Sequence, residues 1–262
     1  MNKLHKTEKL YYRDPFLKKC EATILDIQEK GIVLDKTVAF PEGGGQEGDR
    51  GTITILSTGE KISFLDTQKG LGRSIYIDNF PVIQVDTPIY HFIEEDDLKK
   101  FEIGMQVILE IDVARRMNLA ASHTATHLML MGVESIYENF ESKVYGCHIK
   151  EDSGRLDFRT KEKFDAETVQ KIESYANELI QNNCEVKTFV HENEPEAWYW
   201  ECDGVVYPCG GMHLLQTENI GEIKLRRKNL GKNGQRLSFS FNLVKEFREM
   251  YHDNYQVSVN SD

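Results

Sequence analysis

Cations are scarce in this chain: 32 Lys and Arg stand against 43 Asp and Glu, a formal net charge of −11. That balance argues against nonspecific coating of nucleic acid, which needs cations to displace the counterions condensed on phosphates. Any RNA recognition must come from a local patch. Long hydrophobic runs are missing as well, and the N-terminus Met-Asn-Lys-Leu-His-Lys lacks the apolar core of a signal peptide, so a cytoplasmic location is expected. Five cysteines, at 20, 147, 184, 202 and 209, are odd in number and scattered, which excludes a disulfide framework for a chain of this size and fits a reducing compartment. What is present suffices for real cores: 40% of 262 residues are hydrophobic, room for one large or two ordinary domains.

Period-two alternation dominates the first part of the chain. Segments 20–27, 32–40, 51–56, 61–65, 74–77, 89–93 and 107–111 read as short strands punctuated by turn residues, the spacing of a small antiparallel barrel or sandwich. A β-barrel-like domain is therefore expected over 1–111. The acidic run at 94–97 reads as a solvated surface turn. From Asp112, a good N-cap, the period changes: Val113, Met117, Ala121, Ala125 and Leu128 form a helical stripe. Arg115 and Arg116 on this helix are expected at the surface, the alternative being that they face phosphate or acidic neighbours. Strands at 144–149, 156–158 and 185–190, a helix at 165–181 and a closing helix at 243–251 complete an α+β domain over 112–262. The fold class is thus α+β.

Two distant stretches carry chemistry. His123 and His127 stand four residues apart on the helix, within about 40° of each other around its axis. Alone, such a pair is compatible with two ordinary helix residues. Cys209 and His213 repeat the interval around Gly210 and Gly211, where the chain bends and backbone approaches closely. Three imidazoles and a thiolate are a tetrahedral set suited to Zn2+. Cys202 is the rival thiolate, but it precedes an Asp-Gly turn that directs it elsewhere. No Glu lies between the helical histidines, so the metalloprotease signature is absent.

Three further features stay open on residues alone. Gly43-Gly44-Gly45-Gln46 contains the glycine triplet; it lacks P-loop spacing and is either a hairpin loop or a loop facing a site. Lys224, Arg226, Arg227, Lys228, Lys232 and Arg236 face one acid, Glu222, between 221 and 240, a solvated strand–turn–strand face or a nucleic-acid contact. Trp198-Tyr199-Trp200 is packed aromatic core or a stacking platform for a terminal adenine.

His123-Thr-Ala-Thr-His127, Cys209-Gly-Gly-Met-His213, Gly146-Cys-His-Ile with Arg155-Leu-Asp-Phe158, and Pro41-Glu-Gly-Gly-Gly-Gln46 with Asp49 and Gly51 occur in one order. In these motifs, across nearly the whole chain, the sequence resembles the AlaX family, free-standing relatives of the editing domain of alanyl-tRNA synthetase. The resemblance implies a zinc-containing, trans-acting, ATP-independent deacylase that protects translation fidelity by hydrolysing serine, and also glycine, wrongly attached to alanine tRNA. It implies that His123, His127, Cys209 and His213 hold the zinc. It places Thr126, Gly210, Gly211 and Met212 at the substrate, the glycine loop toward the active site, and the basic patch on the tRNA. Thr126 is a candidate partner for the serine hydroxyl. Met212 stands where the family usually has Thr. The zinc would orient the aminoacyl group or activate a water. The alternatives are a tRNA-binding module with a structural zinc, or a deacylase for another mischarged tRNA.

Overall fold

The computed structural model describes residues 6–29, 31–244 and 246–254. It divides into two compact units: the described residues of Met1–Glu42, Gly48–Ala114 and Phe247–Asp262 form one, and Gly43–Glu47 with Arg115–Glu246 form the other. The class is α+β, strand-rich with few helices. No described helix is long and apolar enough to cross a membrane.

The first unit is built on seven strands: β1 (Lys19–Gln28), β2 (Gly31–Leu34), β3 (Gly51–Ile55), β4 (Lys61–Phe64), β5 (Asp66–Lys69), β6 (Ile89–Phe92) and β7 (Gln106–Ile111), in the order β4-β3-β7-β1-β2-β6-β5. Alternation decides which side each residue takes: in β4, Lys61 and Ser63 are exposed while Ile62 and Phe64 are buried. In β7, Val107 and Leu109 are fully buried and lie opposite Ile55 and Ile53 of β3. The expected barrel does not close. Edge strands β4 and β5 do not pair with each other; the outer edge of β5 instead accepts Glu42, whose N–H donates to Thr67 O at 2.8 Å. The acidic run forms one helical turn, Glu95–Leu98, with no buried residue. Among the described residues of 243–251 the expected closing helix is not found: only Arg248–Met250 turns, as a 3-10 helix. Backbone pairing of His252 with Phe16 and Lys18 holds the segment's end extended, and the Tyr251 ring packs edge-on to Phe16.

The second unit is organised around α1 (Val113–Glu134), of which it holds the residues from Arg115 onward. Sixteen of its residues are buried, so it is a core helix rather than a surface one. The expectation that Arg115 and Arg116 lie at the surface fails. Arg116 is 1% exposed, and Arg115 is held by Glu47 at 3.1 Å and Glu151 at 2.5 Å; a guanidinium is buried only when its charge is met. Strands β8 (Val144–Ile149) and β9 (Ser153–Arg159) follow, then α2 (Ala166–Gln181), capped by Asp165, which accepts from Thr168 N–H at 2.8 Å. Next come β10 (Val186–His191), β11 (Glu194–Cys202) and β12 (Val205–Pro208), which form a three-stranded sheet, and then β13 (Lys224–Asn229) and β14 (Gly234–Ser240). A four-stranded sheet runs β8-β9-β14-β13, with Leu156, Phe158, Leu237, Phe239 and Leu225 buried on one face. Gly132 lets α1 and α2 meet: a Cβ there would stand 2.8 Å from Ile172 O.

Candidate metal centre

His123, His127, Cys209 and His213 come together, each offering one ligand atom, all within 4.8 Å of one another. The helix supplies the first two as one face, and their rings stack at 5.2 Å. The Cys-Gly-Gly bend supplies the others: Cys209 is fixed by its N–H to Trp198 O at 2.8 Å. Gly211 is required here, because a Cβ would stand 2.1 Å from His123 Cε1.

Orientation of the imidazoles comes from behind. Gln46 Oε1 lies 2.7 Å from His123 Nδ1 and also accepts from Met212 N–H at 3.1 Å. The Thr124 hydroxyl donates to Ala120 O at 2.9 Å, accepts from Leu214 N–H at 3.1 Å, and lies 3.4 Å from His213 Nδ1. With Nδ1–H donated to those oxygens, His123 and His213 each turn Nε2 toward Cys209 Sγ, at 3.4 and 3.3 Å. His127 differs. Its ring is sandwiched against Trp200 at 4.5 Å, and both ring nitrogens are buried without a hydrogen-bond partner, a cost of about 1–3 kcal/mol for each group left so.

That orphan tests whether a cation fits. A tetrahedral zinc with bonds of about 2.0–2.3 Å holds its donors about 3.3–3.7 Å apart, which matches the two sulfur–imidazole distances, and a cation is the partner His127 lacks. Burial keeps the donors in the right form on the imidazole side: it pushes His123 down to about 3, and His127 and His213, also beside other imidazoles, well below the usual range. Burial pushes the Cys209 thiol up to about 12; a bound divalent ion is what would make it a thiolate.

The remaining sequence candidates divide. The glycine loop reaches this site through Gln46, carried there by a parallel bridge to Ile149, with Ile149 N–H donating to Gly45 O at 2.8 Å. Gly44 and Gly45 have φ of +60° and +90°, and a Cβ on Gly45 would stand 2.7 Å from Cys147 Sγ. Thr126 is buried, its hydroxyl donating to Ser122 O at 2.9 Å. Met212 is buried and meets Gln46 through its backbone, so the departure from Thr leaves that contact intact. Gly210 is half-buried in the bend. Cys202 lies outside the cluster, next to Cys184. Trp200 is fully buried and packs on His127, so it is core. That the Gln46 and Thr124 oxygens meet the Nδ1 atoms of His123 and His213 had no signal in the sequence beyond adjacency to the motifs.

The strand period splits the basic patch. Lys224, Arg226, Lys228 and Arg236 share the outer sheet face, whereas Arg227 falls on the opposite side of β13, where its charge acts on Asp165. Lys232 is exposed in the connecting turn, and Arg236 is committed to Asp157 by two bonds of 2.6 and 2.8 Å.

Fold and donor set together define an α+β protein with a candidate transition-metal centre. No family model matches the chain. It is 31% identical over 236 residues to the alanyl-tRNA editing protein AlaX-M of Pyrococcus horikoshii, covering 89% of this chain and 97% of that one. It is also 30% identical to the alanine–tRNA ligases of Saccharolobus islandicus, over 85% of this chain, and of Halobacterium salinarum, over 90%. The chain spans only 25% and 26% of those ligases. The chain belongs to the AlaX family of alanyl-tRNA editing proteins.

Proposed function

We propose that this protein is a trans-acting, zinc-dependent aminoacyl-tRNA deacylase of the cytoplasm that hydrolyses the ester of alanine tRNA mischarged with serine, and also with glycine. The observation that carries the reading is the pair of orphaned His127 nitrogens inside a three-imidazole, one-thiol cluster, in a chain matched to an editing protein over 97% of the latter's length. His123, His127, Cys209 and His213 would hold Zn2+, which when bound supplies Lewis acidity toward the ester or its attacking water. Gln46 and Thr124 fix the rings of His123 and His213. Gly211 admits the His123 ring. Thr126 has its proton committed to Ser122 O, so it meets a substrate serine hydroxyl as acceptor only. A site that pairs this hydroxyl disfavours alanine by leaving the acceptor unpaired.

The reading is tested by hydrolysis of alanine tRNA carrying serine, glycine or alanine, with wild-type protein beside His123→Ala and Cys209→Ala. Loss of serine and glycine, with alanine spared and both variants inactive, is expected. No cleavage of any of the three esters by folded, zinc-loaded protein rejects it.

One observation favours a second reading: four protein donors complete a tetrahedron, the pattern of a closed structural zinc. In that case the chain is a tRNA-binding module without hydrolysis, and chelation unfolds the second unit instead of leaving a folded, inactive protein.

A further inference from the structure

On the outer face of the four-stranded sheet lies a cavity of about 360 Å³ lined by His148, Lys150, Arg155, Lys224 and Arg226 together with Ser153, Ser238 and Ser240. Register explains the grouping. His148, Arg155, Ser238 and Arg226 are direct cross-strand neighbours in one row over all four strands, and Ser153, Ser240 and Lys224 form the next row. Alternation sends these side chains outward while Leu156, Leu237, Phe239 and Leu225 go to the core. In a chain of net charge −11, carboxylates at this face are paired: Asp157, in the adjoining row, is engaged by Arg155 and Arg236, and Glu47 lies 3.2 Å from His148 Nε2 and is also held by Arg115. Lys224 pairs with Glu222. Lys150 and Arg226 make no ion pair among the described residues, and Lys150, Lys224 and Arg226 are exposed.

We propose that this cavity is a phosphate-binding surface for RNA, in which Lys150, Arg155, Lys224 and Arg226 neutralise phosphates and Ser240 offers them a hydroxyl; the Ser153 and Ser238 protons are already donated, to Asp152 Oδ1 at 2.8 Å and to Arg226 O at 3.4 Å. Four strands at about 4.8 Å spacing make the row about 14 Å across, wider than a single phosphate and suited to consecutive ones. Besides cations and hydroxyls the lining offers the imidazole of His148 and the buried ring of Phe239. It therefore grips backbone and reads no base. It differs from the patch legible in the sequence by three residues of β8, β9 and their turn, His148, Lys150 and Arg155, and by the exclusion of Arg227, Lys228, Lys232 and Arg236. The inference rests on the deacylase reading only for which RNA is bound.

The test is binding of uncharged alanine tRNA to the full chain by fluorescence anisotropy across a salt series, for wild type, Lys224→Glu/Arg226→Glu and the control Arg227→Glu. Zinc content and thermal midpoint are measured on each to show that all are folded. The double variant should bind at least about tenfold more weakly, with the slope of log affinity against log salt reduced by about 2, one for each lost contact; Arg227→Glu should behave as wild type. Equal loss from both variants, or none from either, overturns the proposal. Comparing tRNA with a 5′-phosphate and with a 5′-hydroxyl separates the sources. Weaker wild-type binding of the hydroxyl form, with the variant indifferent, assigns the cavity to the terminal phosphate, and equal binding assigns it to backbone diesters. Deacylation distinguishes failure of the functional reading. A protein that binds tRNA through Lys224 and Arg226 yet cleaves no ester keeps this surface and loses the deacylase. One that cleaves full-length charged tRNA with undiminished kcat/KM in the double variant loses the surface.

Discussion

Replacing Gln46 by Leu removes one oxygen that serves two buried donors, His123 Nδ1 at 2.7 Å and Met212 N–H at 3.1 Å. Gln46 is fully buried, so water cannot take its place. Each stranded donor costs about 1–3 kcal/mol, or about 2–6 kcal/mol together before relaxation. Part of this appears as lost stability of the second unit and part as a freed His123 ring. Losing an outer-shell partner of a ligating histidine typically weakens metal binding about 10–100-fold. Gln46→Glu keeps an oxygen in place and removes the Nε2 donor, which has no partner; it should retain zinc. The assay is zinc competition against a chromophoric chelator, alongside thermal unfolding of the zinc-loaded protein. Unchanged affinity in Gln46→Leu, or equal loss in both variants, refutes the claim that Gln46 acts by orienting His123.

Replacing His127 by Phe removes the two unpartnered nitrogens while keeping a ring against Trp200; thermal unfolding should show the metal-free protein stabilised by about 2–6 kcal/mol before relaxation and the stabilisation by added zinc abolished. Gly211→Ala drives a methyl into His123, with Cε1 at 2.1 Å, and should cost about 1–3 kcal/mol of overpacking together with zinc occupancy measured by metal analysis. In the first unit, burial pushes His91 down to about 4, with Thr37 Oγ1 at 2.8 Å from Nε2. The unfolded chain binds this proton first, so stability is full above about 6.5 and falls as pH drops toward 4, by about 3 kcal/mol in all. Denaturant titrations should show this slope in wild type and a shallower one in His91→Asn.

The clustering of His123, His127, Cys209 and His213 is legible in the sequence because its determinants are local. An i, i+4 pair on a helix and a Cys-Gly-Gly-Met-His bend fix side-chain directions within a few residues, and the two pairs then needed only to meet. Gln46 was legible only as part of a loop, since its place at His123 depends on a bridge to Ile149 over 100 residues away. The surface expectation for Arg115 fails for the same reason: the carboxylates of Glu47 and Glu151 that hold it come from distant segments. Strand alternation was readable in 107–111 and 61–65, but barrel closure is a property of edges, and Glu42 occupies the edge of β5 that a barrel would use. The basic run at 224–236 was visible as composition; only the register of β13 on β14 shows that Arg227 turns away while Arg155 and His148 join from other strands.

The most direct measurement is single-turnover deacylation of serine-charged alanine tRNA by chelator-stripped protein titrated with zinc, with circular dichroism and thermal unfolding followed on the same samples. Activity that is absent from a folded, metal-free chain and rises linearly to one zinc per chain is the expected result. Full activity without metal, or none at one zinc per chain in a folded protein, would contradict a zinc-dependent deacylase built on His123, His127, Cys209 and His213.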